Sequence, residues 1–445
     1  MNALLIPVIP ELPSLLGTDL ASATWVITAT LIASAVFTPI IGRMADLYGK
    51  RRIYLASLGV LATGALVAAI APGIGMLLVG RVLQGAGVGI IPIGIAILRD
   101  VLPAAQLPGG IAVVSGSLGI GSAIGLPLAS FVIALAGWKS VFGAAAAITV
   151  LLLIASTIAL PSGGVTAVGR LDVLGAVLLA AWLLPLLLVL TKGAERGWTS
   201  VAVITMTAVV PVVRAVWTWQ QLRWRSPLVD LRLAVRRPIL LTNLASLALG
   251  FSMLAANIAF PQALRAPIET GSGLGRPLLA AGFALAPLGL VMLLFPPVGA
   301  RVSLRHGPRM SLMAGGACVA LAYLLATQVR AEVWQLMIPI ILVGVGVGFG
   351  CAAMPALIMN ATPYESTTSA NALNALMRST GTTVSSAAIG GVLAASTVSI
   401  GTGEWPTADA LTMAFAIAAG TAILASVLAA FLPRKPVDAD GQAYA

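Results

Sequence analysis

Apolar residues run through this chain in thirteen stretches, each closed by a short cluster of glycine, polar or basic positions. They lie near 22–41, 53–71, 74–98, 108–136, 140–160, 172–191, 200–220, 238–262, 277–299, 309–327, 333–358, 368–397 and 409–432. A helix needs about 20 apolar residues to cross a bilayer core, so each stretch is predicted as one membrane-spanning helix. In front of the first stands MNALLIPVIPELPSLL, broken by Pro7, Pro10 and Pro13 and carrying Glu11. As a helix it would reach only about 24 Å, short of the roughly 30 Å hydrocarbon core. The expectation is therefore that this first helix is incomplete.

Composition agrees with lipid as the solvent. Charged residues make up 9% of the 445 positions, against about 25% in an ordinary soluble domain. The net charge of +11 does not point to nucleic acid, because the basic residues sit in short clusters between spans. Alternating the spans from a cytoplasmic 42–52 loop places sixteen Lys and Arg in cytoplasmic loops and six in outer loops. That excess fixes the orientation by the positive-inside rule and puts the C-terminus in the cytoplasm. Arg81, Arg214 and Arg378 fall within spans. Cys318 and Cys351 have no metal or disulfide spacing, and His306 is a single histidine, so no metal site is expected. GAGVG lies inside an apolar span without a strand–turn–helix context, and no hydrolase or zinc-protease motif appears, which excludes the common enzyme classes.

The loop GRMADLYGKRR crowds Arg43, Asp46, Lys50, Arg51 and Arg52 between two spans. Gly42 and Gly49 permit a tight connection, and the basic residues hold it at the cytoplasmic face. Asp46 adds nothing to orientation; a carboxylate suits a helix N-terminus. The loop has an echo in ARVSLRHGPRM, where Arg301, Gly307 and Arg309 pair with Arg43, Gly49 and Arg51 at an offset of 258, and Leu304 takes the place of Asp46. A glycine ladder follows each, Gly85–Gly87–Gly89 and Gly344–Gly346–Gly348, at an offset of 259. The chain reads as a duplicated unit, as many secondary transporters do.

G-R-x-A-D-x-x-G-K-R resembles the signature loop of the major facilitator superfamily, with Leu47 where the family usually has Arg. RVLQGAGVG, with Arg81, Gln84 and Gly85, is similar to the family's fourth-helix motif. GSAIGLPLAS resembles the antiporter motif of the fifth helix: Gly121 and Gly125 match, Pro127 is displaced, and Ala129 and Ser130 replace glycines. RLDVLGA, two spans and SPLVDLRL resemble the insertion of the fourteen-helix drug:proton antiporter branch.

The resemblance implies an all-α polytopic membrane protein with the major facilitator fold, two six-helix bundles plus a two-helix insertion. Residues 1–160 would form the first bundle, 161–236 the insertion and linker, 237–434 the second bundle, and 435–445 a cytoplasmic tail. It also implies alternating access, with Asp46 meeting the start of the helix at 368 to steady the outward-facing form. Arg81 and Gln84 would serve coupling to protons, and Gly42, Arg43, Asp46, Gly49, Lys50 and Arg51 would form the conformational loop.

Other candidates come from helical spacing. Asn371, Asn374 and Arg378 share a face, as do Asn243, Ser246, Gly250, Met253 and Asn257. Such stripes either line a wet cavity or hold helices together; both sets are taken as candidate cavity residues. Gly121, Gly125 and Pro127 mark a hinge or a close-packing site. Arg214 is expected to reach toward the cytoplasm.

The fourteen acids include none in the middle of a complete span. A coupling carboxylate would then lie upstream of Met1, or be Asp46 or Glu11, unless the substrate carries the proton. The expected activity is proton-coupled efflux of lipophilic small molecules across a bacterial cytoplasmic membrane by a monomer, driven by the proton gradient without a cofactor. The alternative is a non-transporting or coupling-defective member acting as a sensor or partner subunit.

Overall fold

A computed structural model describes residues 20–103, 106–161, 167–197, 199–271, 273–328, 332–400 and 403–433. The fragment ahead of the first span, with Glu11, and the tail from Arg434 onward lie outside the described residues. All thirteen predicted spans fall on helices. The first half holds α1 (Leu20–Tyr48), α2 (Lys50–Ala69), α3 (Ile74–Gly87), α4 (Ile90–Val101), α5 (Leu107–Ala136) and α6 (Trp138–Ala159). The insertion contributes α7 (Val173–Arg196), α8 (Val201–Arg223) and the single turn α9 (Leu231–Ala234). The second half holds α10 (Arg237–Arg265), α11 (Leu278–Leu294), α12 (Pro296–His306), α13 (Pro308–Gln328), α14 (Val333–Asn360), α15 (Thr367–Ala395) and α16 (Ala408–Ala430).

Ten spans among the described residues are long and apolar enough to cross a bilayer, with α3–α4 counted as one. The α11–α12 pair, bent by 40° where Pro296 and Pro297 start a new helix, makes an eleventh. The described residues thus show ten or eleven spans by length and apolarity, and the fragment ahead of α1 lies outside them. α15 carries Asn371, Asn374, Arg378 and many Ser and Thr residues, which lower its hydropathy although its 29 residues are long enough.

Two breaks follow from local sequence. α1 ends and α2 begins at Gly49, whose φ of 98° is a conformation L side chains rarely adopt. Gly307, its counterpart in the repeat, joins α12 to α13 with φ 86°. The glycine ladders repeat their packing roles as well. A Cβ on Gly85 would sit 2.5 Å from the Thr30 carbonyl of α1, and one on Gly87 would meet α2. In the second half Gly344 faces the Leu288 carbonyl of α11 and Gly346 the Gly315 carbonyl of α13. The duplication read from sequence is thus a duplication of helix contacts.

The second half has the larger core, centred on the rings of Phe260 and Tyr323, which stack, and Phe415, tilted against both, with centroids 5.2–6.2 Å apart. The Tyr323 hydroxyl donates to the Ser252 carbonyl, which settles its polar end inside an apolar cluster. The insertion packs across the seam between the halves: Leu179, Leu183 and Leu187 of α7 meet Ile32 and Val36 of α1 and Leu376 of α15. A two-stranded hairpin, β1 (Thr397–Ile400) against β2 (Gly403–Pro406), joins α15 to α16, an element the hydrophobic pattern does not predict.

Candidate functional site

The conformational loop lies where the two halves meet, at the end of the bundle that carries the basic clusters. Asp46, in the last turn of α1, is fully buried. Its two carboxylate oxygens accept the backbone N–H groups of Thr368 (3.2 Å) and Ser369 (2.8 Å), in the first turn of α15. Those donors have no partner inside their own helix, and the helix dipole favours a negative charge there. Gly42, one turn before, lets the backbones close: a Cβ there would stand 2.5 Å from the Ala372 Cβ and 3.2 Å from the Thr368 carbonyl. Acid and glycine therefore serve one contact, α1 against the start of α15.

A second tie lies beside it. Lys50, 2% exposed, puts its Nζ 2.7 and 2.8 Å from the two carboxylate oxygens of Asp100 at the end of α4. Tyr364, in the turn before α15, donates its hydroxyl to the same carboxylate at 2.6 Å and lays its ring 4.7 Å from the Lys50 Nζ. Donation to Asp100 pushes the Tyr364 hydroxyl pKa up to about 12, with partial burial adding to the effect. Arg99 also lies over that ring, 5.5 Å from its centroid, and donates to the Thr367 hydroxyl. Lower in the seam, Ser115 of α5 donates to the Cys351 carbonyl of α14 at 2.9 Å. The Lys50–Asp100 pair lies within the first half; the contacts of Tyr364, Thr367 and Cys351 with it bridge the halves at the basic end.

The remaining loop residues anchor it sideways. Arg43 donates to the Ser226 hydroxyl of the linker at 2.9 Å, and Arg51 to the Thr157 carbonyl of α6 at 2.7 Å. The Asp46 carbonyl accepts from Ala167 N at 3.0 Å. Leu47, at the place of the family's arginine, is buried beside Gly169 of the segment that leads into α7. The insertion holds a polar knot of its own: Asp172 caps α7 through Gly175 N (2.8 Å) and accepts from Gln220 (3.0 Å) and Gln221 (2.7 Å) of α8.

Arg81 is fully buried, so its stem does not lift the guanidinium to an interface. Its Nε donates to the Val26 carbonyl of α1 at 2.8 Å and its Nη1 to Gln84 Oε1 at 2.6 Å; Thr30 returns a bond to the Arg81 carbonyl at 3.1 Å. The Gln84 amide nitrogen has no partner among the described residues. A fixed cation beside an open amide donor in a dry interior favours a negative charge or an acceptor arriving nearby.

The candidate cavity residues mostly face neighbouring helices. Asn374 Nδ2 donates to Asn243 Oδ1 at 3.0 Å, Ser246 donates to the Asn374 carbonyl at 3.2 Å, and Asn371 donates back to the Thr367 carbonyl at 3.0 Å. Their burial comes from close approach of α10 and α15, where Gly250 meets the Arg378 carbonyl and Gly381 the Leu247 carbonyl. Met253 packs at the margin of the second-half core, Arg378 is half-buried, and Asn257 is exposed with its amide on the Met253 carbonyl. α5 runs as one helix through Gly121, Gly125 and Pro127; Gly121 is exposed with no atom near its Cβ position, and the side-chain surroundings of Gly125 and Pro127 lie outside the described residues. Arg214 rests on the Trp182 ring, 5.8 Å from its centroid.

Asp100, Tyr364, Arg99 and Thr367 were not singled out by the sequence reading. The available signal was an Arg-Asp pair closing a span at the basic end. Nothing local says that Tyr364, 264 residues away, completes the contact.

The apolar helices thus form a duplicated bundle tied at one end by the Asp46 carboxylate on the start of α15. A sequence profile of the Major Facilitator Superfamily matches residues 1–293 and, in a second match, 243–444. The chain belongs to that superfamily. It is 25% identical over 357 residues to a "Multidrug resistance protein B homolog" of Mycobacterium tuberculosis (strain H37Rv), covering 78% of this chain and 65% of that one. The chain thus spans less than two thirds of that relative's length. It is 27% identical over 404 residues to the "Multidrug resistance protein Stp" of the same species (strain CDC 1551), covering 89% of this chain and 73% of that one. The fold superposes on the proton:xylose symporter XylE with a TM-score of 0.68 at 12% identity, covering 97% of this chain and 92% of that one.

Proposed function

We propose that the chain is a proton-coupled exporter of lipophilic small molecules that works by alternating access, with the basic end cytoplasmic and closed in this structure. The observation that carries this reading is the Asp46 carboxylate on the Thr368 and Ser369 N–H groups. It joins α1 of one half to α15 of the other at one end only, so breaking it frees the halves to part there. Tyr364 adds a second tie across the same gap, donating its hydroxyl to the Asp100 carboxylate that Lys50 holds in the first half. Rocking then exposes the interior to alternate sides, and the gradient biases the cycle.

Arg81 and Gln84 are the coupling residues in this reading, since they supply fixed positive potential in the interior of the first half. Among the described residues no nucleotide-binding loop interrupts the helices, so energy comes from an ion or solute gradient. The export of lipophilic compounds rests on the two multidrug-resistance relatives and on the scarcity of charge inside the bundle. Proteoliposomes with an imposed pH gradient and a panel of lipophilic dyes test it. Gradient-dependent dye movement that collapses with a protonophore is the expected result; flux indifferent to the gradient overturns proton coupling, and no flux of any dye favours a non-transporting member.

A further inference from the structure

The duplication leaves one position unfilled. Asp46 docks on the start of α15; at the offset of the repeat, Leu304 stands for Asp46 and α5 for α15. The packing is reproduced: Ala300 of α12 lies against Ala112 of α5, as Gly42 lies against Ala372. The carboxylate is not reproduced. Leu304 is 58% exposed, and the start of α5 has no side-chain cap.

A cavity of about 400 Å³ occupies that place. Three helix starts converge on it, through Pro108 of α5, Pro238 of α10, and Pro308 and Arg309 of α13. These positive dipole ends meet the closing residues of α12 and α14, so the net positive charge in the space comes from Arg309. Ser303 lines the cavity, is 9% exposed, and its hydroxyl has no partner among the described residues. Arg309 also lines it: one Nη donates to the Ala430 carbonyl at 2.6 Å, while its buried Nε has no partner among the described residues. No acidic side chain lines the space among the described residues, and the rest of the wall is largely apolar, including Ile111 and Leu357.

We propose that this cavity binds an anionic phospholipid, its phosphate group set against the α5 and α13 starts, Arg309 and Ser303, and its acyl chain along the apolar wall. The lipid anion takes in the second half the place that Asp46 takes in the first. The bilayer that solvates the helices supplies the ligand, and basic recesses between helices are suited to lipid phosphates. The inference does not depend on proton coupling or on the direction of transport.

The full chain, delipidated and returned to nanodiscs of phosphatidylcholine with a minority of phosphatidylglycerol, is then released for native mass spectrometry. The unaltered chain is expected to retain phosphatidylglycerol over phosphatidylcholine by about tenfold. Leu304→Asp supplies the missing carboxylate from the chain itself and Arg309→Gln removes the cation; each is expected to abolish most of that preference. Leu304→Asn, of the same size without the charge, keeps it and controls for folding. Soluble glycerol phosphate, which lacks the chain, is expected to compete only weakly. Equal retention of the two lipids by the unaltered chain overturns the proposal, as does an unchanged preference in Leu304→Asp and Arg309→Gln. Full displacement by millimolar glycerol phosphate also overturns it and assigns the cavity to a free phosphate.

Discussion

Asp46 and Ser369 lie 323 residues apart in the chain and 2.8 Å apart in space, carboxylate oxygen to backbone nitrogen. The bond joins the two halves of a duplicated protein, and its strength sets how readily they separate. A carboxylate on free N–H groups of a helix start contributes roughly 1.5–3 kcal/mol, more than a neutral bond. Asp46→Asn keeps the shape and removes the charge. It should raise the population open at the basic end by about tenfold or more. The rate at which a membrane-impermeant thiol reagent labels a cysteine at Ser115, buried across the seam against α14, reports this directly in a background free of Cys318 and Cys351. An unchanged rate contradicts the assignment.

Gly42 gives a steric test of the same contact. Gly42→Ala places a methyl group 2.5 Å from the Ala372 Cβ, an overlap that costs about 1–3 kcal/mol unless the helices move apart. Gly59→Ala, where nothing lies within 4 Å, should instead be neutral or gain up to about 1 kcal/mol of helix propensity. Thermal unfolding in detergent and dye transport together separate the two: Gly42→Ala loses transport and Gly59→Ala does not.

Tyr364 sets a pH expectation. Its hydroxyl pKa, pushed up to about 12 by donation to Asp100, lies above the usual phenol value near 10. A raised pKa means that the stabilising, protonated form is fully present below about 10 and is lost as pH rises through about 12. Tyr364→Phe should therefore loosen the basic end equally at pH 6 and pH 9, leaving any proton dependence of transport in place. A Tyr364→Phe effect confined to one of those pH values contradicts this.

Arg81 separates fold from coupling. Lys can reach either the Val26 carbonyl or Gln84, but its single nitrogen does not reproduce the two-sided geometry of the guanidinium. Arg81→Lys is expected to fold with a small loss of stability and to lose gradient-driven transport, while dye binding persists. Arg81→Leu leaves the buried Gln84 side-chain oxygen unmatched and should destabilise by about 1–3 kcal/mol. Full transport by Arg81→Lys removes Arg81 from the coupling role.

The helices and the repeat were legible in the sequence because each follows from a local rule of apolar length or basic loops; a local rule also matched Asp46 to a helix start, but only the family resemblance pointed to the helix at 368. The glycine ladders were legible as a repeat, and their meaning became clear only when Gly85 and Gly344 were seen against corresponding helices. Polar stripes were the ambiguous case. Asn243 and Asn374 have the spacing of cavity residues, yet they hydrogen-bond each other between α10 and α15, and periodicity cannot tell a wet face from a helix contact. The Lys50–Asp100–Tyr364 group was illegible, since its members come from distant elements and Tyr364 sits in a turn with no periodic pattern.

The central claim is that contact between the halves at the basic end opens and closes during transport. Spin labels at Tyr48 and Glu365, both exposed at that end on opposite halves, give the distance across it in lipid nanodiscs. The account predicts a short distance in the unaltered chain and a second, longer population on adding a transported dye, dominant in Asp46→Asn. A single distance, unmoved by dye and by Asp46→Asn in a protein shown to transport, would contradict it.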